Sequence, residues 1–409
     1  MNSIQNISIE DYSYDLPDEK IARYPLEQRD LSRLLVYNDN RVEKDVFQHL
    51  HRYLPSNSLM VFNNTRVVQA RLLFRKPTGA FVEIFCLEPA GEVKDIQLAF
   101  QQTHRSKWFC LVGNAKKWKD GPLVLEGSND LVLKAEKKGP LKDGYIVEFE
   151  WEEKGLTFAE VLDIAGKTPL PPYIKRKAET EDKQRYQTIF ARHSGSVAAP
   201  TAGLHFSEKV LTSLEEKNID ATRLTLHVGA GTFKPVTDKT IANHIMHNEQ
   251  VVVQKETLEK LLQYAGENII SVGTTSMRTL ESIYWLGVKL LKGEKVNPKA
   301  FVIEQWEPYS IPVEEHPDVA TAIEGILDYM NQAETNTLQG ETSLMIVPGY
   351  RVKMANILVT NFHQPRSTLL LLVAAFCGEG WRKAYDFALE NNFRFLSYGD
   401  SCLFFKQPV

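Results

Sequence analysis

The chain has 409 residues, 43% of them hydrophobic and 24% charged, which is enough for two or three domains with buried cores and excludes general disorder. Its 48 Lys and Arg against 52 Asp and Glu give a net charge of −4, so no global positive field attracts polyanions and any nucleic-acid surface must be a local patch. Cys86, Cys110, Cys377 and Cys402 show no metal spacing, and no apolar run approaches the roughly 20 residues of a membrane span; a reduced cytoplasmic protein without membrane contact is expected.

Residues 1–17 are polar and acidic, with no apolar stretch of a secretory signal. Residues 34–37 and 58–62 read as strands, the second running directly into Asn63-Asn64-Thr65-Arg66. From about 71 to 151, β-branched and aromatic runs at 81–87, 108–112, 131–133 and 145–151 alternate with Gly, Pro, Asn and Asp turns. That pattern predicts a small antiparallel β domain, barrel-like, inserted into the first. Beyond Trp151 strand and helix alternate: helices at 158–165, 207–216, 255–266 and from 276 onwards, strands at 221–228, 269–272 and 357–362, and a buried helix at 367–376. The fold class is α/β, with one discontinuous domain over 1–70 and 152–409 and the small β domain over 71–151. Residues 286–341 break the rhythm and read as an insertion or lid.

Four segments share one signature, an apolar strand ending in small and polar residues: 61–66, 226–233, 272–278 and 360–367. In α/β sheets ligands collect at the carboxyl ends of strands, so these loops are expected to converge. Lys234 stands where a dinucleotide fingerprint needs its third glycine, and Gly273-Thr274-Thr275-Ser276 lacks the Walker lysine. Dehydrogenase and kinase readings lose their support.

His205, His227, His244, His247 and His363 all lie in or beside such loops, and clustered imidazoles can move protons near neutral pH. His244 and His247 could share a helix face, but no cysteine or second acidic cluster completes a site, and no metal is expected. Arg66, Arg278 and Arg366 follow strands and could fork onto a carboxylate or phosphate. Basic runs at Lys116, Lys117 and Lys119, and at Lys175, Arg176 and Lys177, sit near Trp118, Tyr173 and Tyr186, a pairing of charge with aromatic rings that suits single-stranded RNA.

Tyr24-Pro25-Leu26-Glu27-Gln28-Arg29-Asp30, Asn63-Asn64-Thr65-Arg66, Pro169-Leu170-Pro171-Pro172-Tyr173, Arg185-Tyr186-Gln187-Thr188, Ala199-Pro200-Thr201-Ala202-Gly203-Leu204-His205-Phe206, Thr225-Leu226-His227-Val228-Gly229, Gly273-Thr274-Thr275, Thr360-Asn361-Phe362-His363 and Tyr398-Gly399-Asp400 follow in one order. Together they resemble the S-adenosylmethionine:tRNA ribosyltransferase-isomerase family of queuosine biosynthesis. The resemblance implies a barrel-like larger α/β domain carrying the small β-barrel. It implies transfer and isomerisation of the ribosyl group of S-adenosylmethionine onto a 7-aminomethyl-7-deazaguanine in the tRNA anticodon, giving epoxyqueuosine-tRNA, adenine and methionine. S-adenosylmethionine is then the donor substrate, and no resident cofactor or metal is required.

On that resemblance His205, His227, His247, Glu249 and His363 are candidates for proton transfer. Arg278 or Arg366 would hold the methionine carboxylate. Asn63, Asn64, Thr65, Arg66, Tyr186, Thr201, Gly203, Gly229, Gly231, Thr274, Thr275 and Asn361 would shape the substrate site, and Lys116, Lys117, Lys119, Lys175, Arg176 and Lys177 would meet RNA. The chain departs from the family pattern at Ala230, Ile245, Asn248, Met277 and Gln364. A noncatalytic or altered-specificity RNA-binding relative and an S-adenosylmethionine methyltransferase are the competing readings. A monomer is the expected state.

Overall fold

The computed structural model describes residues 2–407 except Pro77, Asp120, 127–130, 153–154, Ala230 and 232–234; the departure at Ala230 and the Lys234 position lie outside the described residues. Ten strands form one mixed sheet in the order Phe301–Ile303, Thr337–Thr342, Glu249–Gln254, Ile219–His227, Ser58–Asn63, Asn268–Val272, Ile357–Asn361, Ser401–Phe405, Arg33–Asn38, Arg41–Val46. The middle four, from Ile219–His227 to Ile357–Asn361, run parallel to one another.

Parallel strands covered on both faces read as nearly unbroken apolar runs, and Ser58–Asn63 is buried at all six positions. Its alternate residues divide the core in two. Leu59 and Val61 face helices Thr274–Leu291, Val319–Gln332 and Thr368–Cys377, whereas Met60 and Phe62 pack with Phe47, Phe206, Val210 and Leu214 on the other face. Helix starts are capped locally: Ser207 bonds the amide of Val210, Ser367 that of Leu370 and Asp318 that of Thr321, while Thr157 and Glu160 form a capping box.

The second sheet has six antiparallel strands in the order Arg71–Arg75, Phe81–Pro89, Arg105–Gly113, Gly144–Trp151, Val132–Leu141, Leu123–Glu126. It wraps its own core of Trp108, Trp118, Phe149 and Trp151 with Phe158 from helix Phe158–Ala165. Leu123–Glu126 is a strand that the sequence pattern does not announce.

Three expectations are corrected. Helix Thr274–Leu291 begins two residues earlier than residue 276, because Gly273 takes a φ of +89° and turns the chain straight into its first turn. His244 and His247 lie in a loop before strand Glu249–Gln254, so they share no helix face. Residues 286–341 form no lid: they supply edge strands Phe301–Ile303 and Thr337–Thr342, and helix Val319–Gln332 packs on helix Thr274–Leu291 where a Cβ on Gly287 would come 2.3 Å from the Ala322 carbonyl oxygen.

Candidate active site

The four segments singled out by their strand exits are neighbours. His227, Asn63, Val272 and Asn361 end the four parallel central strands, so their following loops open at one edge of the sheet. A cleft of about 620 Å³, open mouth included, lies there. Thr201, Gly273, Thr274, Thr275, Thr360, Asn361, His363, Gln364 and Ser397 line it, with Tyr173, Phe362 and Leu396 as its apolar wall.

Two features mark the cleft as a ligand site. Gly273, Thr274 and Thr275 open an 18-residue helix, and Ser367 caps another, so unpaired backbone N–H groups face an incoming group. In addition, Thr275 Oγ1 and Asn361 Oδ1 are buried without a hydrogen-bond partner among the described residues. Buried polar atoms are rarely left so, and a bound substrate would satisfy them.

The histidines divide sharply. His363 lines the cleft: its Nε2 meets Thr360 Oγ1 at 2.9 Å, Tyr14 donates to its carbonyl, and its amide donates to Tyr385 Oη at 2.9 Å. Its Nδ1 has no protein partner among the described residues. His205 is fully engaged, Nδ1 with Ser32 Oγ at 2.8 Å and Nε2 with Asn361 Nδ2 at 3.1 Å. His227 turns away from the cleft toward Thr65 Oγ1 at 3.0 Å and Gln97 Nε2 at 3.2 Å, and a Cβ on Gly195 would come 2.3 Å from its ring.

Burial lowers His363 to about 3, and burial followed by the charges of Arg394 and Arg29 lowers His205 to about 3. Burial, then His193, lowers His227 to about 4. All three rings are neutral at physiological pH.

That neutrality has a stability consequence. Each histidine is protonated more readily in the unfolded chain, near 6.5, so its contribution is complete above pH 6.5 and is lost as pH falls toward the folded value. At pH 5 the loss is about 2 kcal/mol per histidine. Thermal melts should shift downward between pH 7.5 and 5; a level melting temperature over that interval would disprove the assignment.

A second cavity of about 330 Å³, mouth included, adjoins the first, since Val228 lines one and Gly229 the other, and Thr368 lies between Ser367 and Leu369. It holds His244, His247, Glu249, Arg278, Gly229 and Gly231. Arg278 forms a buried ion pair with Glu249, and the Gly229 amide donates to the same carboxylate at 3.4 Å. A Cβ on Gly231 would come 2.0 Å from His247 Cδ2, so glycine is what lets the imidazole approach. Among the described residues no group of three His, Cys, Asp or Glu side chains could hold a metal ion.

Other sequence candidates fall outside both cavities. Asn63 binds both backbone polar groups of Leu226 and the amide of Thr65, Asn64 accepts from Thr225 Oγ1, and Thr65 meets Ser196 Oγ; these residues tie the strand exits together. Arg66 is exposed on strand Thr65–Val67. Gly203 packs against Phe190 and Thr188. Arg366, 51% exposed, pairs with Glu10 at 3.3 Å instead of entering the cleft. Tyr186 is buried edge-on against Tyr398, and Trp118 lies inside the small barrel, its indole N–H on the Gly121 carbonyl, so neither ring can stack RNA bases.

Arg176 is bound at both nitrogens by Asp182, at 2.6 and 2.8 Å, and stacks on Tyr24; it is no free phosphate ligand. Lys175 pairs with Asp18, whereas Lys116, Lys117, Lys119 and Lys177 are exposed. Ser397 and Tyr385 carry no sequence signature of their own; Ser397 precedes the Tyr398-Gly399-Asp400 motif, which is its one available signal.

Parallel strands whose exits and adjoining helix starts close on one cleft, mostly apolar with a few polar groups, define an α/β protein with a candidate small-molecule site. The chain belongs to the queuosine biosynthesis protein family, whose match spans residues 9–404. It is 34% identical over 400 residues to the S-adenosylmethionine:tRNA ribosyltransferase-isomerase of Trichlorobacter lovleyi, covering 97% of this chain and 99% of that protein. It is 37% identical over 410 residues to the enzyme of the same name from Nitrosomonas europaea, covering 99% and 98%. A crystal structure of an S-adenosylmethionine tRNA ribosyltransferase from Thermotoga maritima matches 96% of this chain and 99% of that one at 28% identity, with a TM-score of 0.45. The motif resemblance is therefore met by relatives of full length. Among the described residues no helix is long and apolar enough to cross a membrane.

Proposed function

We propose that the chain transfers and isomerises the ribosyl group of S-adenosylmethionine onto the 7-aminomethyl-7-deazaguanine of tRNA. The observation that carries this reading is the meeting of three of the four strand exits, those after His227, Val272 and Asn361, at a cleft where Thr275 Oγ1 and Asn361 Oδ1 are buried without a partner among the described residues, in a member of this family. S-adenosylmethionine is the donor, no resident cofactor takes part, the anticodon region of tRNA is the acceptor, and the reaction takes place in the cytoplasm.

The sulfonium acidifies the ribose 5′ C–H, and His363, which lines the cleft with Nε2 held by Thr360, is the residue we assign to take that proton. The first turn of helix Thr274–Leu291 suits the methionine carboxylate, while Thr275 and Asn361 orient the nucleoside. The C1′–adenine, C1′–O4′ and C5′–S bonds break; the acceptor nitrogen bonds C1′, C5′ closes on C1′ to make the carbocycle, and O4′ closes on C5′ to make the epoxide. Methionine sulfur keeps its electron pair, and of the two protons given up at C5′ and the amine one goes to the departing adenine and the other to solvent. His205, with both nitrogens engaged, is a positioning residue that holds Asn361.

The purified protein, given S-adenosylmethionine and precursor-bearing tRNA, should release adenine and methionine. S-adenosylhomocysteine among the products would make it a methyltransferase, and tRNA binding without either product would make it a noncatalytic relative. Replacing Lys116, Lys117 and Lys119 with alanine should weaken tRNA binding and flatten its salt dependence by about 0.7–0.9 in slope for each phosphate no longer neutralised. An unaltered slope would assign those lysines to solvent.

A further inference from the structure

Beyond the cleft wall lies a third pocket of about 300 Å³, mouth included, which shares Ser397 with the cleft. Three guanidinium groups line it, Arg29, Arg185 and Arg394, and no acidic side chain is among its described lining residues. Arg394 is paired with buried Asp400 at 3.2 Å. Among the described residues Arg29 and Arg185 make no ion pair: Arg29 donates to the Gln187 carbonyl, and Arg185 to the carbonyls of Glu27 and Leu26. Asp30, beside Arg29 in the chain, accepts from Ser207 Oγ at 2.6 Å. Burial first, and the like charge of Arg185 second, lower the Arg29 guanidinium from its ordinary value. Asp30 and Tyr398 act in the opposite sense on Arg29 without pairing with it directly, so two guanidinium groups that make no ion pair among the described residues line one open pocket.

We propose that this pocket binds a phosphodiester of the acceptor RNA, adjacent to the nucleotide whose base enters the cleft; the inference rests on the reading of the chain as a tRNA-modifying enzyme. Each guanidinium carries five N–H donors, and the protein engages one of them on Arg29 and two on Arg185, which leaves forks free for tetrahedral phosphate oxygens. A nucleotide inserted base-first carries a phosphodiester on either side, and the pocket adjoins the cleft through one residue. The chain Ser32–His205–Asn361 joins the two spaces by hydrogen bonds of 2.8 and 3.1 Å, so a phosphate seated here is registered at the cleft amide. The motifs containing Arg29 and Arg185 acquire a task that the cleft does not give them.

The test compares Arg29→Gln and Arg185→Gln with the wild type, using precursor-bearing tRNA and S-adenosylmethionine as separate variable ligands. Both variants should raise the Kd for tRNA about 10-fold or more and reduce the slope of log Kd against log salt by about 0.7–0.9, with the KM for S-adenosylmethionine unchanged. Arg185→Lys, which keeps the charge, should retain most of the salt slope. Because Arg185 is only half-buried and anchored to backbone carbonyls, its variant reports even if Arg29→Gln melts early. Wild-type affinity for tRNA in Arg185→Gln, with the wild type releasing adenine, overturns this inference alone. A raised KM for S-adenosylmethionine with tRNA binding intact also overturns it, and assigns the pocket to the methionine carboxylate. A wild type that binds tRNA but releases no adenine overturns the functional reading and this inference together.

Discussion

Replacing His363 with alanine is expected to lower kcat about 100-fold or more, with little change in the KM for S-adenosylmethionine. Of the five proton-transfer candidates, His363 alone lines the main cleft. Its ring is oriented through Nε2 by Thr360, and its backbone is clamped by Tyr14 and Tyr385, so the imidazole is held at the cleft wall. The alanine variant should fold, because that clamp is made by the backbone and does not depend on the imidazole. Burial holds the ring neutral far below the ordinary histidine range, so the base form persists as pH falls. The acid limb of kcat/KM should accordingly lie well below 6.5, and rates between pH 6 and 8 should show no titration from this residue. Single-turnover rates measured with saturating tRNA decide the matter. A variant with wild-type kcat removes His363 from the chemistry.

The second large effect concerns the ion pair between Glu249 and Arg278, in which both side chains are at most 4% exposed. Taking one partner away strands the other charge in the core, and such losses are about 3–5 kcal/mol. Glu249→Ala should therefore destabilise the fold by about that much in urea denaturation. The double variant with Arg278→Met should recover a large part, since no charge is then left behind. If Glu249→Ala unfolds at the wild-type midpoint, the pair is not the anchor it is taken to be. Glu249→Gln separates structure from chemistry: turnover close to the wild type makes Glu249 a positioning residue for the wall it shares with His247, whereas a loss comparable to that in His363→Ala makes it an acid or base.

Much of the framework was legible because its signals are local. Ser58–Asn63 and Ile357–Asn361 read as strands from apolar residues in an unbroken run, and Ser207, Ser367 and Thr157 announce helix starts by their own side-chain bonds to the next turn. The strand-exit signature at residues 272–278 and 360–367 also led to the cleft, since a polar residue at the end of a buried parallel strand has few places to go except the ligand edge.

The roles of single polar side chains were not legible in the same way. Asn63 and Asn64 have the composition of ligand-binding amides, yet their amides go to Leu226, Thr65 and Thr225 across the sheet. Arg366 stands in the right motif but reaches Glu10, from the opposite end of the chain. Trp118 sits in a basic run and is nevertheless a core residue of the barrel.

The amino-acid order by itself determined the alternation of strand and helix, the β-rich segment within it, the family motifs and the loops at which a ligand would be held. Only tertiary structure decided which imidazole lines the cleft, which arginines are already paired, and that Arg29 and Arg185 line one pocket. The reason is one of range: periodicity and capping act over a few residues, whereas the partner of a buried polar group is settled by strands and turns that arrive from more than a hundred positions away.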